Sequence, residues 1–413
     1  MEIFMNMVYY LLEVKNMKRF KIFAALLCAV LLFTACSKQA TPAGAKPETD
    51  KWNTNYKYVF VHGLSGWGSY DEQYKKMPYW GMLGGDLLKH LNEQGFECYA
   101  ASVSPSGSAW DRACELYAQL TGNIVDYGKE HSERCNHERF GTDFSERPLI
   151  ENWSAENKIN LLGHSFGGAT VRMLSELMAN GSEAERAATE ESELSGLFTG
   201  GKADWIYSIT ALAAPHNGTT AYNVGSLEDE ELETESSGIK DKIHEFLSGL
   251  VSSATESEED GRLLSDYAAH DMYIDNAFEI NDRISTLEKT YYFSIPCSSS
   301  LQAEDGTFYP DESITESLFV KSAKSMGKYT GVTEKGFVID ESWRENDGLV
   351  NTVSATAPIG APQRIYEAGN VKAGEWNIMP TYTGDHMSLQ GGLFKKNDVK
   401  EFYVEHLNMI NCL

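Results

Sequence analysis

The chain has 413 residues and a formal net charge of −25 at pH 7. This acidity argues against binding of nucleic acid or of anionic membrane surfaces, because both repel a negatively charged protein. A hydrophobic content of 42% with 11% aromatic residues is that of a folded core rather than of an unstructured chain.

The N-terminal end has the pattern of an export signal. Lys18, Arg19 and Lys21 precede an apolar run over residues 22–33, which is too short for a comfortable membrane span. The sequence Thr34-Ala35-Cys36 follows, and it resembles a bacterial lipobox in which the cysteine carries the lipid.

Cys36 is therefore a candidate lipidation site, although Phe33 stands where that motif usually has Leu. An ordinary cleaved signal with an incidental cysteine is the alternative. We predict an export segment over residues 1–36 and a polar tether over residues 37–51. The protein is then extracytoplasmic, either secreted or attached to the membrane only through a lipid on Cys36.

Strand-like and helix-like segments alternate after residue 52, which is typical of an α/β domain with a mostly parallel sheet. Apolar runs predict the strands, at residues 56–63, 96–103, 159–162, 204–213 and 289–296. Apolar residues at helical spacing predict the helices, at residues 84–94, 110–120, 169–178 and 398–409. No linker divides residues 52–413, so we predict a single domain, with residues 298–339 irregular.

An acidic segment over residues 226–260 contains apolar residues at helical spacing between residues 243 and 251. This pattern predicts an amphipathic helix between charged flanks. The helix is either a mobile lid or a surface helix that packs permanently on the core, and periodicity does not distinguish the two.

The sequence Gly163-His164-Ser165-Phe166-Gly167 matches G-x-S-x-G between a predicted strand and a predicted helix. This context is typical of a nucleophile elbow, in which a strained turn exposes the Ser165 hydroxyl. The flanking glycines allow the close approach of strand and helix. A chance match in a glycine-rich loop is the alternative.

Two backbone N–H groups are candidates for an oxyanion hole. Leu64 follows the first predicted strand in a His62-Gly63-Leu64 loop, and Phe166 follows the candidate nucleophile. Both groups are expected to stabilise negative charge on a substrate oxygen. The alternative is a strand-ending loop at Leu64 without chemistry.

A serine nucleophile needs a base and an acid, and in this kind of fold they follow the serine in the order acid, then histidine. Among the tail histidines, His386 lies in a Gly-Asp-His loop, whereas His406 lies in the predicted closing helix. We predict His386 as the base. Asp347, in an Asn-Asp-Gly turn, is the preferred acid over Asp340 and Asp385.

Four further residues form a candidate metal site: Asp111, His131, His137 and Asp266. Two histidines and two carboxylates suit a tetrahedral, structural Zn²⁺ site. Scattered histidines and carboxylates are more often solvated, and Cys135 is a rival ligand. The spacing alone therefore does not decide whether these residues bind a metal.

Several motifs together resemble the staphylococcal and thermophilic-bacillus lipase family, over roughly residues 56–406. They lie at residues 61–64, 79–81, 110–115, 125–128, 139–141, 163–168, 214–219 and 345–351. The resemblance implies an α/β-hydrolase fold and hydrolysis of triacylglycerols or other esters. It also implies a catalytic role for Ser165, Asp347 and His386.

By the same resemblance, Leu64 and Phe166 carry the oxyanion donors. The zinc ligands are Asp111, His131, His137 and Asp266. Zinc then holds an inserted region against the core and does no chemistry.

The chain departs from the family at two places. Ser388 and residues 393–394 stand where the family binds calcium, so calcium is not expected. The segment between residues 215 and 266 is shorter and more acidic than the family's lid region, which leaves the acyl-chain length open.

The sequence therefore predicts a monomeric triacylglycerol lipase that acts on lipid or ester substrates through an acyl-enzyme. One alternative is a carboxylesterase for short, soluble esters. Another is a surface lipoprotein that uses the fold for binding without turnover.

Overall fold

A seven-stranded parallel sheet organises the protein, whose computed structural model describes residues 52–145, 147–224 and 261–413. The described strands are β1 Lys57–Val61, β2 Cys98–Ala101, β3 Ile124–Asp126, β4 Phe140–Asp143, β5 Ile159–His164, β6 Ile206–Leu212, β7 Tyr291–Ile295, β8 Cys297–Ser298, β9 Ser300–Gln302, β10 Phe308–Pro310, β11 Gly331–Val332, β12 Val338–Ile339, β13 Gln363–Ile365, β14 Trp376–Ile378 and β15 Tyr382–Thr383. The central sheet has the order β13-β14-β7-β6-β5-β1-β2. Every neighbouring pair in it is parallel, so the predicted mostly parallel sheet is confirmed.

Helices cover both faces of this sheet. The described α-helices are α1 Glu72–Lys76, α2 Leu87–Glu93, α3 Ala109–Thr121, α4 Lys129–Cys135, α5 Gly167–Asn180, α6 Glu183–Ala188, α7 Ala268–Asp271, α8 Ile274–Asn281, α9 Val320–Met326 and α10 Lys400–Asn411. In β1, Tyr58 and Phe60 pack in the core with α2 and α10, whereas Val59 and Val61 pack in the core with α3 and α5. Because both faces are covered, the whole strand is apolar rather than alternating.

Two predicted segments differ from the structure. The helix predicted over residues 84–94 begins only at Leu87, because Gly85 has a φ of 102° and Asp86 caps the helix by accepting the Lys89 N–H at 3.0 Å. Residues 298–339, predicted to be irregular, contain α9 and two antiparallel pairs, β9 with β10 and β11 with β12.

Some predictions lie outside the described residues. These are the export segment over residues 1–36 with Cys36, the tether over residues 37–51, and the lid-like helix within residues 226–260. The described residues all fall in one compact unit, residues 43–413. Within this part of the chain, every helix is too short or too polar to cross a membrane.

Candidate functional site

Ser165 lies in a strained turn between β5 and α5. Its φ is +55°, and its backbone N–H donates to the Leu212 carbonyl at 2.8 Å. A Cβ atom on Gly163 would lie 2.3 Å from the Gly167 carbonyl oxygen, and one on Gly167 would lie 2.4 Å from the Val61 carbonyl oxygen. Both glycines are therefore required where strand, turn and helix meet, and the turn holds the serine above the end of the sheet.

The structure brings Ser165, His386 and Asp347 into one hydrogen-bonded chain. His386 Nε2 lies 2.8 Å from Ser165 Oγ, and His386 Nδ1 lies 2.8 Å from Asp347 Oδ2. A carboxylate only accepts hydrogen bonds, so Nδ1 carries the proton and Nε2 presents its lone pair to the serine. All three residues are buried, which strengthens these bonds.

The other candidates for base and acid have different partners. His406 is buried in α10, where its Nε2 lies 2.9 Å from Thr210 Oγ1. Asp340 is exposed and caps a short helical turn. Asp385 accepts the Glu316 N–H at 2.7 Å, so its side chain points away from the base, as expected from its position next to it.

The two predicted oxyanion donors come from two neighbouring segments, the loop after β1 and the residue that follows Ser165. Leu64 lies in the loop after β1, the strand that pairs with β5, and Phe166 directly precedes the first turn of α5. In the described ranges, the N–H groups of Leu64 and Phe166 have no acceptor. Free N–H groups suit a developing negative charge, and the one on Phe166 also lies at the N-terminus of α5.

Arg112, which sequence reasoning missed, supports this arrangement. Its buried guanidinium donates to the carbonyl oxygens of His62 and Gly63, and it lies 5.2 Å from the centre of the Phe166 ring. Burial lowers the pKa of Arg112 to about 10, so it stays charged at neutral pH. Its only sequence signal was its place in the motif at residues 110–115.

A cavity opens beside Ser165 and His386. Its walls are mostly apolar and include Leu64, Tyr222, Met272, Leu349, Val350 and Met387. An apolar wall next to a nucleophile suits an acyl chain, because that chain leaves water when it binds.

The four predicted metal ligands also come together. One ligand atom from each of Asp111, His131, His137 and Asp266 lies within 4.8 Å of the others. His131 Nε2 is 3.0 Å from Asp111 Oδ1 and 3.1 Å from Asp266 Oδ1. Burial lowers the pKa of His131, but the hydrogen bonds to the two carboxylates outweigh it and raise the pKa to about 11.

The donor set fits a divalent cation. His137 Nδ1 lies 2.8 Å from the Glu138 carbonyl oxygen, so Nδ1 carries the proton and Nε2 presents a lone pair. In the described part of the chain this buried Nε2 has no hydrogen-bond partner, although Asp266 Oδ2 is 3.2 Å away. Cys135 Sγ lies 3.9 Å from the opposite ring nitrogen of His131, which removes it as a rival ligand.

Two residues that sequence reasoning missed support the cluster. Arg262 donates to Asp266 Oδ2 at 2.9 Å and to Asp111 Oδ2 at 2.5 Å. Glu185 is buried and accepts the backbone N–H of His131 at 2.8 Å. Neither residue was predicted, because the contact of Arg262 with Asp111 spans 151 residues and that of Glu185 with His131 spans 54.

Comparison with known proteins identifies the relatives of this chain. Residues 54–232 match the family model described as "Lipase-like, C-terminal domain". The lipase of Staphylococcus epidermidis is 31% identical over 388 residues, which is 86% of this chain and 54% of that protein. The chain thus spans about half the length of this curated relative.

Two solved structures are similar over nearly their whole length. EstA from Clostridium botulinum is 30% identical with a TM-score of 0.74, over 91% of this chain and 92% of that one. Staphylococcus hyicus lipase is 27% identical with a TM-score of 0.72, over 89% of this chain and 98% of that one. The chain therefore belongs to the family of the staphylococcal lipases, as its motifs predicted.

Proposed function

We propose that this protein hydrolyses carboxylic esters of lipids, with Ser165 as nucleophile, His386 as base and Asp347 as acid. The observation that carries the proposal is the continuous chain of two 2.8 Å hydrogen bonds through these residues. The relatives that are named lipases support the substrate class.

In the first half of the reaction, Ser165 Oγ attacks the ester carbonyl carbon while His386 Nε2 takes the serine proton. The N–H groups of Leu64 and Phe166 donate to the oxyanion, and the loss of one such donor typically costs about 10²–10³-fold in rate. His386 then gives its proton to the alcohol oxygen, which leaves, and an acyl-enzyme remains.

In the second half, His386 takes a proton from water, and the resulting hydroxide attacks the acyl carbon at the same oxyanion site. The proton returns from His386 to Ser165 Oγ as the carboxylic acid leaves. Asp347 stays ionised and stabilises the imidazolium in both halves.

A carboxylesterase for short, soluble esters is the second candidate. The segment between residues 215 and 266, which is shorter and more acidic than the lid region of the family, favours such a substrate. A surface lipoprotein without turnover is disfavoured, because a binding function does not require an aligned serine, histidine and aspartate.

We further propose that Asp111, His131, His137 and Asp266 hold a structural Zn²⁺. Bound there, the ion would neutralise the two buried carboxylates and fasten α4 to α3. No proton transfer in the proposed reaction depends on it. Calcium is not part of this proposal.

The proposed location is extracytoplasmic, with a monomeric protein that is secreted or lipid-anchored at Cys36. A Cys36→Ser variant tests the anchor, because it would move a lipid-anchored protein from the membrane fraction to the medium. An unchanged membrane fraction would refute lipidation at this residue.

A substrate series tests the main proposal. Initial rates are measured on p-nitrophenyl esters of increasing acyl length and on an emulsified triglyceride, with Ser165→Ala as control. A rate increase above the solubility limit identifies a lipase, and rates confined to short, soluble esters identify a carboxylesterase. No hydrolysis by the folded wild-type protein, or equal rates in the Ser165→Ala variant, would refute the proposal.

A further inference from the structure

Two buried side chains connect the loop that carries Leu64 with the loop that carries His386. Tyr79 Oη accepts the Gly63 N–H at 3.1 Å and lies 2.6 Å from His164 Nδ1. The other ring nitrogen of His164, Nε2, lies 2.8 Å from the His386 carbonyl oxygen. Neither Tyr79 nor His164 has a role in the reaction steps.

The His386 carbonyl oxygen determines which group donates and which accepts in each of these hydrogen bonds. The His386 carbonyl can only accept, so His164 Nε2 must carry a hydrogen. A neutral His164 then accepts at Nδ1, so the Tyr79 hydroxyl donates to it. The Tyr79 oxygen is left to accept from the Gly63 N–H, and all three bonds run in one direction.

The surroundings keep both groups neutral. His164 and Tyr79 are almost completely buried. Burial and then the nearby charge of His386 lower the pKa of His164 to about 3, whereas burial raises the pKa of Tyr79. Trp67 packs edge-on against the Tyr79 ring, with 5.6 Å between centroids, which restricts the tyrosine to one orientation.

We propose that Tyr79 and His164 are positioning residues that hold the Leu64 loop and the His386 loop at a fixed position relative to each other. This proposal rests on the proposed function. His386 is then anchored on both sides of its backbone, since its N–H donates to the Asp347 carbonyl at 2.9 Å and its C=O accepts from His164. Gly63 is anchored next to the Leu64 oxyanion donor. The hydrogen bonds through His164, the residue before the nucleophile, thereby fix the position of the base relative to the oxyanion donor.

The wild-type protein alone provides a first test. In ¹⁵N-histidine-labelled protein, His164 is expected to remain a neutral Nε2–H tautomer between about pH 5 and pH 8. Titration of His164 in that range, or an Nδ1–H tautomer, would overturn the proposal. This readout does not depend on turnover, so it stands apart from a failure of the proposed function.

Paired variants provide the second test. The amide N–H of Gln at position 164 can take the place of the His164 Nε2–H and donate to the His386 carbonyl. The shorter Asn amide reaches only the position of Nδ1, which faces Tyr79. His164→Asn is expected to lower kcat by about 10²-fold with little change in KM, because a displaced base slows the chemical step. His164→Gln is expected to keep a kcat about 10-fold above that of His164→Asn.

Tyr79→Phe is compared with a matched control, Tyr58→Phe. The Tyr58 hydroxyl is also buried and bonds remote groups, the Leu407 carbonyl at 3.0 Å and Asn411 Oδ1 at 2.8 Å. Both variants are expected to lose stability, but only Tyr79→Phe is expected to lower kcat. Equal kcat for the two tyrosine variants, or for the two His164 variants, overturns the proposal while Ser165→Ala still tests the function.

Discussion

Asp347 divides its two carboxylate oxygens between the base and its own loop. Oδ2 accepts from His386 Nδ1 at 2.8 Å, while Oδ1 accepts the N–H groups of Leu349 at 3.0 Å and Val350 at 2.7 Å. Because the loop N–H groups fix Oδ1, the second oxygen has one orientation, and it sets the tautomer of His386.

This division predicts the effect of Asp347→Asn. The loop N–H groups require an oxygen at the Oδ1 position, so the amide nitrogen takes the place of Oδ2 and donates to His386 Nδ1. The proton then moves to Nε2, which can no longer accept from Ser165. We expect kcat to fall by about 10⁴-fold with the fold retained.

The matched control is Asp340→Asn, at an exposed aspartate that was one of the two rival acids in the sequence. Its kcat is expected to equal that of the wild type. A loss of less than 10-fold in Asp347→Asn, measured at saturating substrate, would contradict the assignment of the acid.

Arg112→Lys tests the support of the oxyanion loop. A lysine ammonium cannot span the carbonyl oxygens of His62 and Gly63 as the guanidinium does, so the Leu64 N–H loses its fixed direction. We expect kcat to fall by about 10- to 100-fold, at most the effect of one lost oxyanion donor. Arg172→Lys is the control, because Arg172 is equally buried but bonds Asn281 at 2.6 Å; a similar kcat loss there would point to general destabilisation.

Chelation tests the structural metal. Purified protein is expected to contain about one zinc per chain, and a chelator is expected to lower Tm without lowering kcat at temperatures below the transition. Added zinc is expected to restore Tm, whereas added calcium is expected to leave Tm at the lowered value. Asp266→Ala should abolish zinc binding, whereas Asp311→Ala, at a half-buried aspartate outside the cluster, should not. Zinc-free native protein would refute the site, and a loss of kcat at unchanged Tm would refute its structural role.

Stability is expected to fall in mild acid. Burial lowers the pKa of His62 and of His164 to about 3 and that of His406 to about 4, and it also lowers the pKa of His216. Below about pH 6.5 the unfolded chain binds these four protons and the folded protein does not. Burial raises the pKa of Glu115 to about 7, so the folded protein binds one proton that the unfolded chain does not, and this offsets one histidine.

Burial also raises the pKa of Asp86, Asp271 and Asp385, so three is the largest net number of protons. The free energy of unfolding should therefore decrease by less than about 4 kcal/mol per pH unit between about pH 6 and pH 4.5. Urea unfolding at pH 7, at about pH 6 and at about pH 5 measures this slope. A stability that is flat over this range would contradict the neutral, buried state of these histidines.

The parts of the site that were predictable from sequence are those carried by local patterns. The elbow around Ser165 needs only a strand, two glycines and a helix that are contiguous in the chain. His386 followed from the order of residues, and Asp347 from its turn. These expectations needed no knowledge of which distant residues meet.

The parts that were missed depend on contacts across the sequence. Tyr79 and His164 are 85 residues apart, and Arg112 reaches a loop 50 residues earlier. Neither residue type nor spacing signals such bonds. Only the fold, which sets β1 beside β5 and packs α3 into the core on one face of the sheet, brings them together.

Active-site labelling tests the central claim most directly. The folded protein is treated with a fluorophosphonate, and the modified residue is located by mass spectrometry, with Ser165→Ala and His386→Ala as controls. The account predicts a single phosphonyl group on Ser165, slow labelling in His386→Ala, and none in Ser165→Ala. Label on another residue, or no label on folded wild-type protein, would contradict it.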